Sequence, residues 1–509
     1  MVFSSSVFLF AFLPIVLALY FICPTRNLKN IWLLIASLVF YAWGEPIHIL
    51  LMLASITLNW LLAVLIEKFD DKQARRKTLL VLACIANVAI IGFYKYEGFI
   101  ADNLNLLLGV NALPNLQLPL PIGISFYTLQ ALSYVIDVYR REVPAQKNIL
   151  FLGMYVACFP QLIAGPIVRY KTIAEQIRDR KETLNDFASG LRLFIIGLAK
   201  KVLLANTIAI LADDMLSNGG ANIGAIGAWG GLIAYTFQIF FDFSGYSDMA
   251  IGLGRMLGFK YLRNFNYPYI ATSITDFWRR WHISLSTFFR DYIYIPLGGS
   301  RVSQGRWVFN IAVVWATTGL WHGAAWNYIL WGVYYGALLI CEKLIWGKAL
   351  ARSPKIIQHL YTIIIFVFGW SFFWITDASQ LSTYLYALIG GYGLTGTMTF
   401  WQLGVWAYLP VFIACLLASL PIVPWIKERL IAYVEKREMR SIVKEGVVNA
   451  RCLEADQLCV LEAHPADNKR KIVYEVTACL LDIALLALLA LSAASIVSGS
   501  FNPFIYFQF

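Results

Sequence analysis

Long apolar runs recur from one end of this chain to the other, separated by short polar loops, and they do not alternate with period two. Roughly 20 consecutive apolar residues cross a bilayer as a helix, because backbone groups in lipid must be satisfied within the segment. The pattern predicts spans at Val7–Cys23, Ile31–Trp43, Ile47–Ile66, Thr78–Tyr94, Pro119–Ile136 and Phe187–Ala212. It predicts others at Ala225–Phe243, Val308–Trp321, Ala324–Cys341, Ile356–Trp374, Leu403–Ile422 and Val476–Val497. Several runs are shorter than a full crossing, so tilted, broken or re-entrant helices are expected among them. The expected class is an all-α polytopic membrane protein of about 11–13 transmembrane helices with re-entrant and interfacial helices.

The loop charges set an orientation. Arg26 and Lys29, then Lys68, Lys72 and Arg75–Lys77, then Arg140, Arg141 and Lys147 fall on one side if spans alternate, and basic loops stay cytoplasmic. The run Ile149–Ala164 breaks the alternation, since Arg169, Lys171, Arg178, Arg180 and Lys181 follow it. A re-entrant segment turning at Pro160, Gly165 and Pro166 restores the order. Asp213 and Asp214 then face out, and Arg255–Arg306, Lys343–Lys355 and Lys427–Lys471 face in. Both termini come out extracytoplasmic. The N-terminus is expected to be a first membrane anchor: it has no basic leader, and Cys23-Pro24 is unlike a small-residue cleavage site. Residues 1–509 read as one membrane-embedded domain. It has N-terminal helices over 1–118, a core carrying the candidate chemistry over 119–346, and a last helix and tail over 475–509. The polar stretch 427–474 is expected to be a small helix-plus-strand appendage on the cytoplasmic face. There is no internal repeat.

Composition agrees with this reading. The chain is 59% hydrophobic and 14% charged, against about 25% charged in a soluble domain. The net charge of +11 could suggest nucleic acid but is better explained by basic residues gathered in short loops between spans, and no nucleic-acid partner is expected. Of the cysteines, Cys23, Cys84, Cys158, Cys341, Cys415 and Cys479 lie in or beside apolar runs, and Cys452 and Cys459 lack partners at metal-ligand spacing. No metal site and no permanently bound cofactor is expected.

Candidate chemistry centres on His322, between Gly319 and Gly323 in a strongly apolar region, with Trp321 and Trp326 beside it. An ionisable side chain at membrane depth marks function by default. The imidazole is either a satisfied histidine bonded inside the bundle or a general base, the protonation range of histidine suiting the second. The glycines let another backbone or a ligand come close, and the tryptophans can wall a slot. Upstream, Ser273 and Asp276 fit a helix start, and the helix that follows carries Trp278, Arg279, Arg280, Trp281, His282 and Ser286. Arg290, Asp291, Tyr292 and Tyr294 come next. This is an interfacial amphipathic helix with snorkelling arginines, or additionally a floor for a phosphate-bearing substrate, since arginine binds phosphate bidentately. Asp242, Ser244 and Asp248 lie at the cytoplasmic end of an apolar span. The two carboxylates either pair with arginines of 279–306 or orient a catalytic imidazole. His48 beside Glu45, His359, His464 and Asp482 are weaker candidates, the last expected to pair inside the bundle.

Taken together, these residues resemble the membrane-bound O-acyltransferase family, in its bacterial alginate and peptidoglycan O-acetylating branch. The resemblance is carried by Met1–Ser5, Pro121–Tyr127, Ile163–Pro166, Phe241–Asp248, Phe277–Ser286 and Leu320–Gly323. It implies a helical membrane fold with a central tunnel and acetyl-CoA as co-substrate from the cytoplasm. His322 matches the family's catalytic histidine and His282 its second polar member. The resemblance also implies a bacterial inner-membrane location, a polysaccharide acceptor, and a periplasmic SGNH-like acetyltransferase or esterase partner. A glycan or lipid transporter would call for an internal repeat and charges at mid-membrane. A lipid- or protein-directed acyltransferase would share the fold.

Overall fold

The computed structural model describes residues 1–399, 401–422, 424–426, 429 and 467–499, of which 467–478 by backbone alone. Among the described residues it is all helix, turn and loop. Among the described residues seven helical segments are long and apolar enough to cross a membrane by length and composition, which makes this a multi-pass membrane protein.

The chain opens with α1 (Leu13–Ile22), α2 (Arg26–Ala42) and α3 (His48–Lys68). Thr25 caps α2 by accepting the Leu28 amide. Helix α4 (Gln73–Leu108) runs 36 residues, well past the expected end at Tyr94, and so carries Lys95 into the bundle. Helix α5 (Ile124–Tyr139) starts only after Gly123, whose φ of +76° permits the turn and whose missing Cβ would lie 2.9 Å from the Leu162 carbonyl. Pro119–Ile122, expected within this span, is therefore outside the helix.

The run expected to re-enter is broken and buried. Helix α6 (Ile149–Ala157) stops at Cys158, a one-turn α7 (Phe159–Leu162) follows, and the chain turns through Gly165. After α8 (Tyr170–Arg178), helices α9 (Leu184–Ala199) and α10 (Asn206–Ser217) join through the wide turn Lys200–Ala205. They pack along α11 (Gly219–Met256) at backbone contact distance. A Cβ on Gly197 would lie 2.5 Å from the Gly245 carbonyl, and one on Gly252 2.5 Å from that of Gly190. Small residues let helices approach where no hydrophobic force drives them together. Because α11 reaches Met256, Asp242, Ser244 and Asp248 sit inside a helix, not at the end of a span as expected.

The polar stretch folds into α12 (Ile274–Arg280) and α13 (Ile283–Phe289), two short helices where one was expected. Then come α14 (Gln304–His322), α15 (Trp326–Cys341), α16 (Gly347–Arg352), α17 (Lys355–Trp374), α18 (Ala378–Leu388) and α19 (Leu409–Ser419). Of the expected appendage, the part before residue 467 lies outside the described residues apart from Arg429, as do His464, Cys452 and Cys459. The alternating stretch through Ile472 and Val473, expected as strand, is instead the start of α20 (Asp467–Val497). Asp482 of α20 does pair, but with Arg192 of α9 through two 2.8 Å hydrogen bonds on a half-exposed flank, not within the bundle interior.

A polar knot ties the N-terminal helices to the centre. Arg180, fully buried, donates to the Tyr20 hydroxyl and the Leu257 carbonyl at 3.0 Å each, and to Asn30 Oδ1 at 2.8 Å. Glu182 accepts from Tyr20 and Arg26, so α1, α2, the loop before α9 and the end of α11 share one network.

Candidate functional site

The two histidines singled out from sequence occupy the ends of helices. Helix α12 begins as expected: Ser273 accepts the Asp276 amide at 3.0 Å, and Asp276 reaches back to the Thr272 amide at 3.2 Å. A second anchor comes from far along the chain. The buried Glu342 carboxylate accepts the Ile274 amide at 2.8 Å, the Thr275 amide at 3.0 Å and the Thr275 hydroxyl at 2.6 Å. A negative charge on free helix N-terminal amides is favourable. Helix α12 then stops. Trp281 is extended and His282 takes left-handed angles, φ 45° and ψ 53°, before α13 begins. A residue with a side chain is held this way only when its surroundings enforce it. Asn264 does so. Its carbonyl accepts the Ile283 amide at 2.9 Å. Its Oδ1 accepts from the Ser284 amide at 3.1 Å, the Ser284 hydroxyl at 2.9 Å and His282 Nδ1 at 3.2 Å. With Oδ1 fixed as acceptor by the Ser284 amide, the His282 proton sits on Nδ1. The lone pair is on Nε2, buried and without a partner among the described residues.

His322 is the last residue of α14. Gly319 lets α15 approach: a Cβ there would lie 2.5 Å from the Tyr328 carbonyl, and one on Gly332 would lie 2.6 Å from that of Trp315. The close backbone foreseen at Gly319 is therefore α15 itself. At Gly323 the neighbour is the Tyr328 ring. The imidazole is 6% exposed and walled by Trp321, Trp331 and Phe373, with ring centroids at 4.9, 5.0 and 5.0 Å. Its Nδ1 has no hydrogen-bond partner among the described residues, so it is not the satisfied core histidine that was the alternative.

Trp321 joins the two imidazoles. Its ring lies 4.9 Å from that of His322 and 6.2 Å from that of His282, and Phe126 of α5 packs on it at 5.4 Å. On the other side of His282 stands Phe243 of α11, at 4.6 Å. The indole Nε1 atoms of Trp321 and Trp331, whose rings wall His322, also lack hydrogen-bond partners among the described residues.

The other sequence candidates divide. Trp278 and Trp281 line the aromatic wall: Trp278 packs on Trp331 at 5.4 Å, and Trp281 on Trp370 at 4.9 Å. Trp326 does not. It is 59% exposed and donates to Asn103 at 2.9 Å, so only Trp321 of the expected pair walls the site. Ser286 donates to the Trp278 carbonyl at 3.4 Å. Arg280 is tied to Asp276 at 2.9 Å, while Arg279 is exposed. Asp242 and Asp248 pair with Lys201 and Lys200, each at 2.6 Å. The expected partners, arginines of 279–306 or an imidazole, are not the ones found, because the wide turn after α9 presents both lysines to α11. Orientation of an imidazole falls to Asn264 instead.

Tyr292 marks the other end of α5. Its hydroxyl donates to Asp137 at 2.7 Å, and Arg140 lies 5.2 Å over its ring. Beside it Asp291 pairs with Arg169 and with Arg290. Burial alone would raise the Asp291 carboxyl, but the two guanidinium groups outweigh it and hold it below its ordinary range. From Phe126 to Asp137 is eleven residues of α5, about 16 Å at 1.5 Å per residue. The basic cluster and the imidazoles thus stand one short helix apart. Asn264, Glu342, Trp331, Trp370 and Phe373 carried no local signal, being brought to the site only by long-range packing.

The sequence profile of the membrane-bound O-acyltransferase family matches residues 124–386, which hold both histidines, α12, α13 and Glu342. The chain is 37% identical to a probable alginate O-acetylase of Azotobacter vinelandii, over 100% of both chains. It is 37% identical, again over 100% of both, to a probable alginate O-acetylase of Pseudomonas aeruginosa. A peptidoglycan O-acetyltransferase of Helicobacter pylori is 37% identical over 78% of this chain and 80% of its own. With its helical membrane architecture and these full-length relatives, the chain belongs to the membrane-bound O-acyltransferase family.

Proposed function

We propose that this protein transfers acetyl from cytoplasmic acetyl-CoA to hydroxyls of an extracytoplasmic polysaccharide, alginate-like or peptidoglycan, through a periplasmic SGNH-like partner. The observation that carries the reading is the pair of buried imidazoles flanking Trp321, each with an unpaired nitrogen. The names of the relatives supply the chemistry of donor group and acceptor. His322 takes the proton of the acceptor hydroxyl, whose oxygen attacks the thioester carbonyl. The carbon–sulfur bond breaks, and the CoA thiolate leaves and recovers the proton from the imidazolium. His282 accepts a hydrogen bond at Nε2 from the donor and orients it. The donor's phosphates face the basic end of α5, where Arg140 and Arg169 gather around Asp291 and Tyr292. The protein sits in the bacterial inner membrane with both termini extracytoplasmic.

Purified protein given acetyl-CoA and polysaccharide, with and without the partner, tests this by thiol release and by acetyl esters on the glycan. Both are expected. Turnover only with long-chain acyl-CoA would replace the reading with a lipid- or protein-directed transferase, and glycan movement without thiol release would replace it with a transporter.

A further inference from the structure

Lys95 reaches the reactive end of α14, and no step proposed for the transfer uses it. It comes from the middle of α4, a helix of membrane-spanning length, and not from a polar loop. Its ammonium donates to the Trp321 carbonyl at 2.5 Å and to the His322 carbonyl at 2.9 Å, and stands 6.0 Å from the Trp321 ring centroid. Among the described residues no carboxylate pairs with it. These two carbonyls belong to the last turn of a helix, where acceptors have no intrahelical donor. A cation there is favoured by the helix dipole, and a lysine can satisfy both carbonyls at once. An ammonium half-buried on a helix of membrane-spanning length, with no acid paired to it among the described residues, is costly and marks function.

We infer that Lys95 is a positioning residue for the transfer reaction: by clamping the carbonyls of Trp321 and His322 it fixes the angle at which the His322 imidazole and the Trp321 ring face the reacting groups. The rest of α14 does not supply this restraint. Gly323, immediately after His322, is extended, and the chain leaves the helix there. Without the clamp, the last turn of α14 is free to fray. The edge-on packing of Trp321 between the two imidazoles then loses its fixed register. Lys95 touches the backbone of the site and not its reacting atoms, so its effect falls on the rate of the chemical step and not on donor binding. This inference rests on the proposed role of His322.

The test compares Lys95→Met, Lys95→Gln and Lys95→Arg with wild type and His322→Ala, measuring kcat and KM for acetyl-CoA per mole of folded, monodisperse protein. Lys95→Met is expected to lower kcat roughly 100-fold, the scale of an ångström's misplacement of a reacting group, with KM for the donor unchanged within about twofold. Lys95→Arg, which can donate to both carbonyls, is expected to recover most of kcat. If Lys95→Met does not fold, Lys95→Gln carries the test, keeping a neutral amide NH2 donor and losing the charge. Unchanged kcat in the variant that folds, or a loss expressed in KM, or a loss that arginine does not restore, would overturn the inference. His322→Ala separates the two claims. If it is inactive while Lys95→Met is fully active, only the role of Lys95 fails. If it is active, the reading of His322 fails on its own.

Discussion

Asn264 and His282 are held together on a shared acceptor: the oxygen that receives His282 Nδ1–H at 3.2 Å also receives the Ser284 amide and hydroxyl. Removing that oxygen leaves three buried donors of one turn to find other partners. Asn264→Ala is expected to destabilise the protein by about 1–3 kcal/mol for each donor left unpaired, read as a lower melting temperature in detergent. Acetyl transfer is expected to fall roughly tenfold or more as His282 loses its orientation. Asn264→Asp keeps the acceptor and is expected to lose less on both counts. Equal loss in the two variants would argue against the acceptor as the element that matters.

Gly319 gives a steric test of how α14 is held. A methyl group there meets the Tyr328 carbonyl at 2.5 Å, in a contact made by rigid backbone on both sides. Gly319→Ala is expected to cost about 1–3 kcal/mol by overpacking and to displace His322, three residues on. Gly305→Ala on the same helix opens into empty space and is expected to leave stability and rate unchanged. Wild-type behaviour of Gly319→Ala would mean that α14 and α15 can part without consequence.

Much of this was legible in the chain, for identifiable reasons. The spans were legible because lipid leaves only apolar helices. The start of α12 was legible because Ser273 and Asp276 act within one turn, and His322 because an imidazole is conspicuous among apolar residues. The break at Trp281–His282 was not, since neither residue is a helix breaker and Asn264 enforces the turn from eighteen positions upstream. The partners of Asp242 and Asp248 were missed because the turn Lys200–Ala205 is wider than an ordinary helix and rotates both lysines inward. Trp326 was misplaced because adjacency in sequence to His322 says nothing once the helix has ended at that residue.

The knot around Glu182 sets a pH dependence. Burial alone would raise this carboxyl, but hydrogen bonds from Arg26 and Tyr20 and the charges of Arg26 and Lys29 prevail, lowering it from 4.5 to about 2. A carboxyl depressed on folding contributes stability that is present above its unfolded value and lost as pH falls through the folded one. Wild type is therefore expected to lose melting temperature between pH 4.5 and about 2 more steeply than Glu182→Gln, which has no charge to lose. Parallel curves for the two would contradict this origin.

Glu342 anchors the start of α12 from the end of α15. Three donors at the start of α12 and the Tyr361 hydroxyl depend on its carboxylate, and hydrogen bonds to a charged group contribute about 1.5–3 kcal/mol each before losses are shared. Glu342→Ala is expected to lower the melting temperature and to slow transfer through movement of α12. Glu342→Gln keeps acceptor capacity and is expected to fall between. A slower Glu342→Ala enzyme with unchanged stability would show that the carboxylate acts on the reaction by another route.

The central claim is that the His322 imidazole carries the transfer. The most direct measurement is acetyl ester formation on polysaccharide by purified His322→Ala against wild type, with the partner present and both proteins shown to be folded by their melting curves. Loss of a general base is expected to lower the rate by about 10²–10⁴-fold with the fold intact. Acetylation by folded His322→Ala at the wild-type rate would contradict the account.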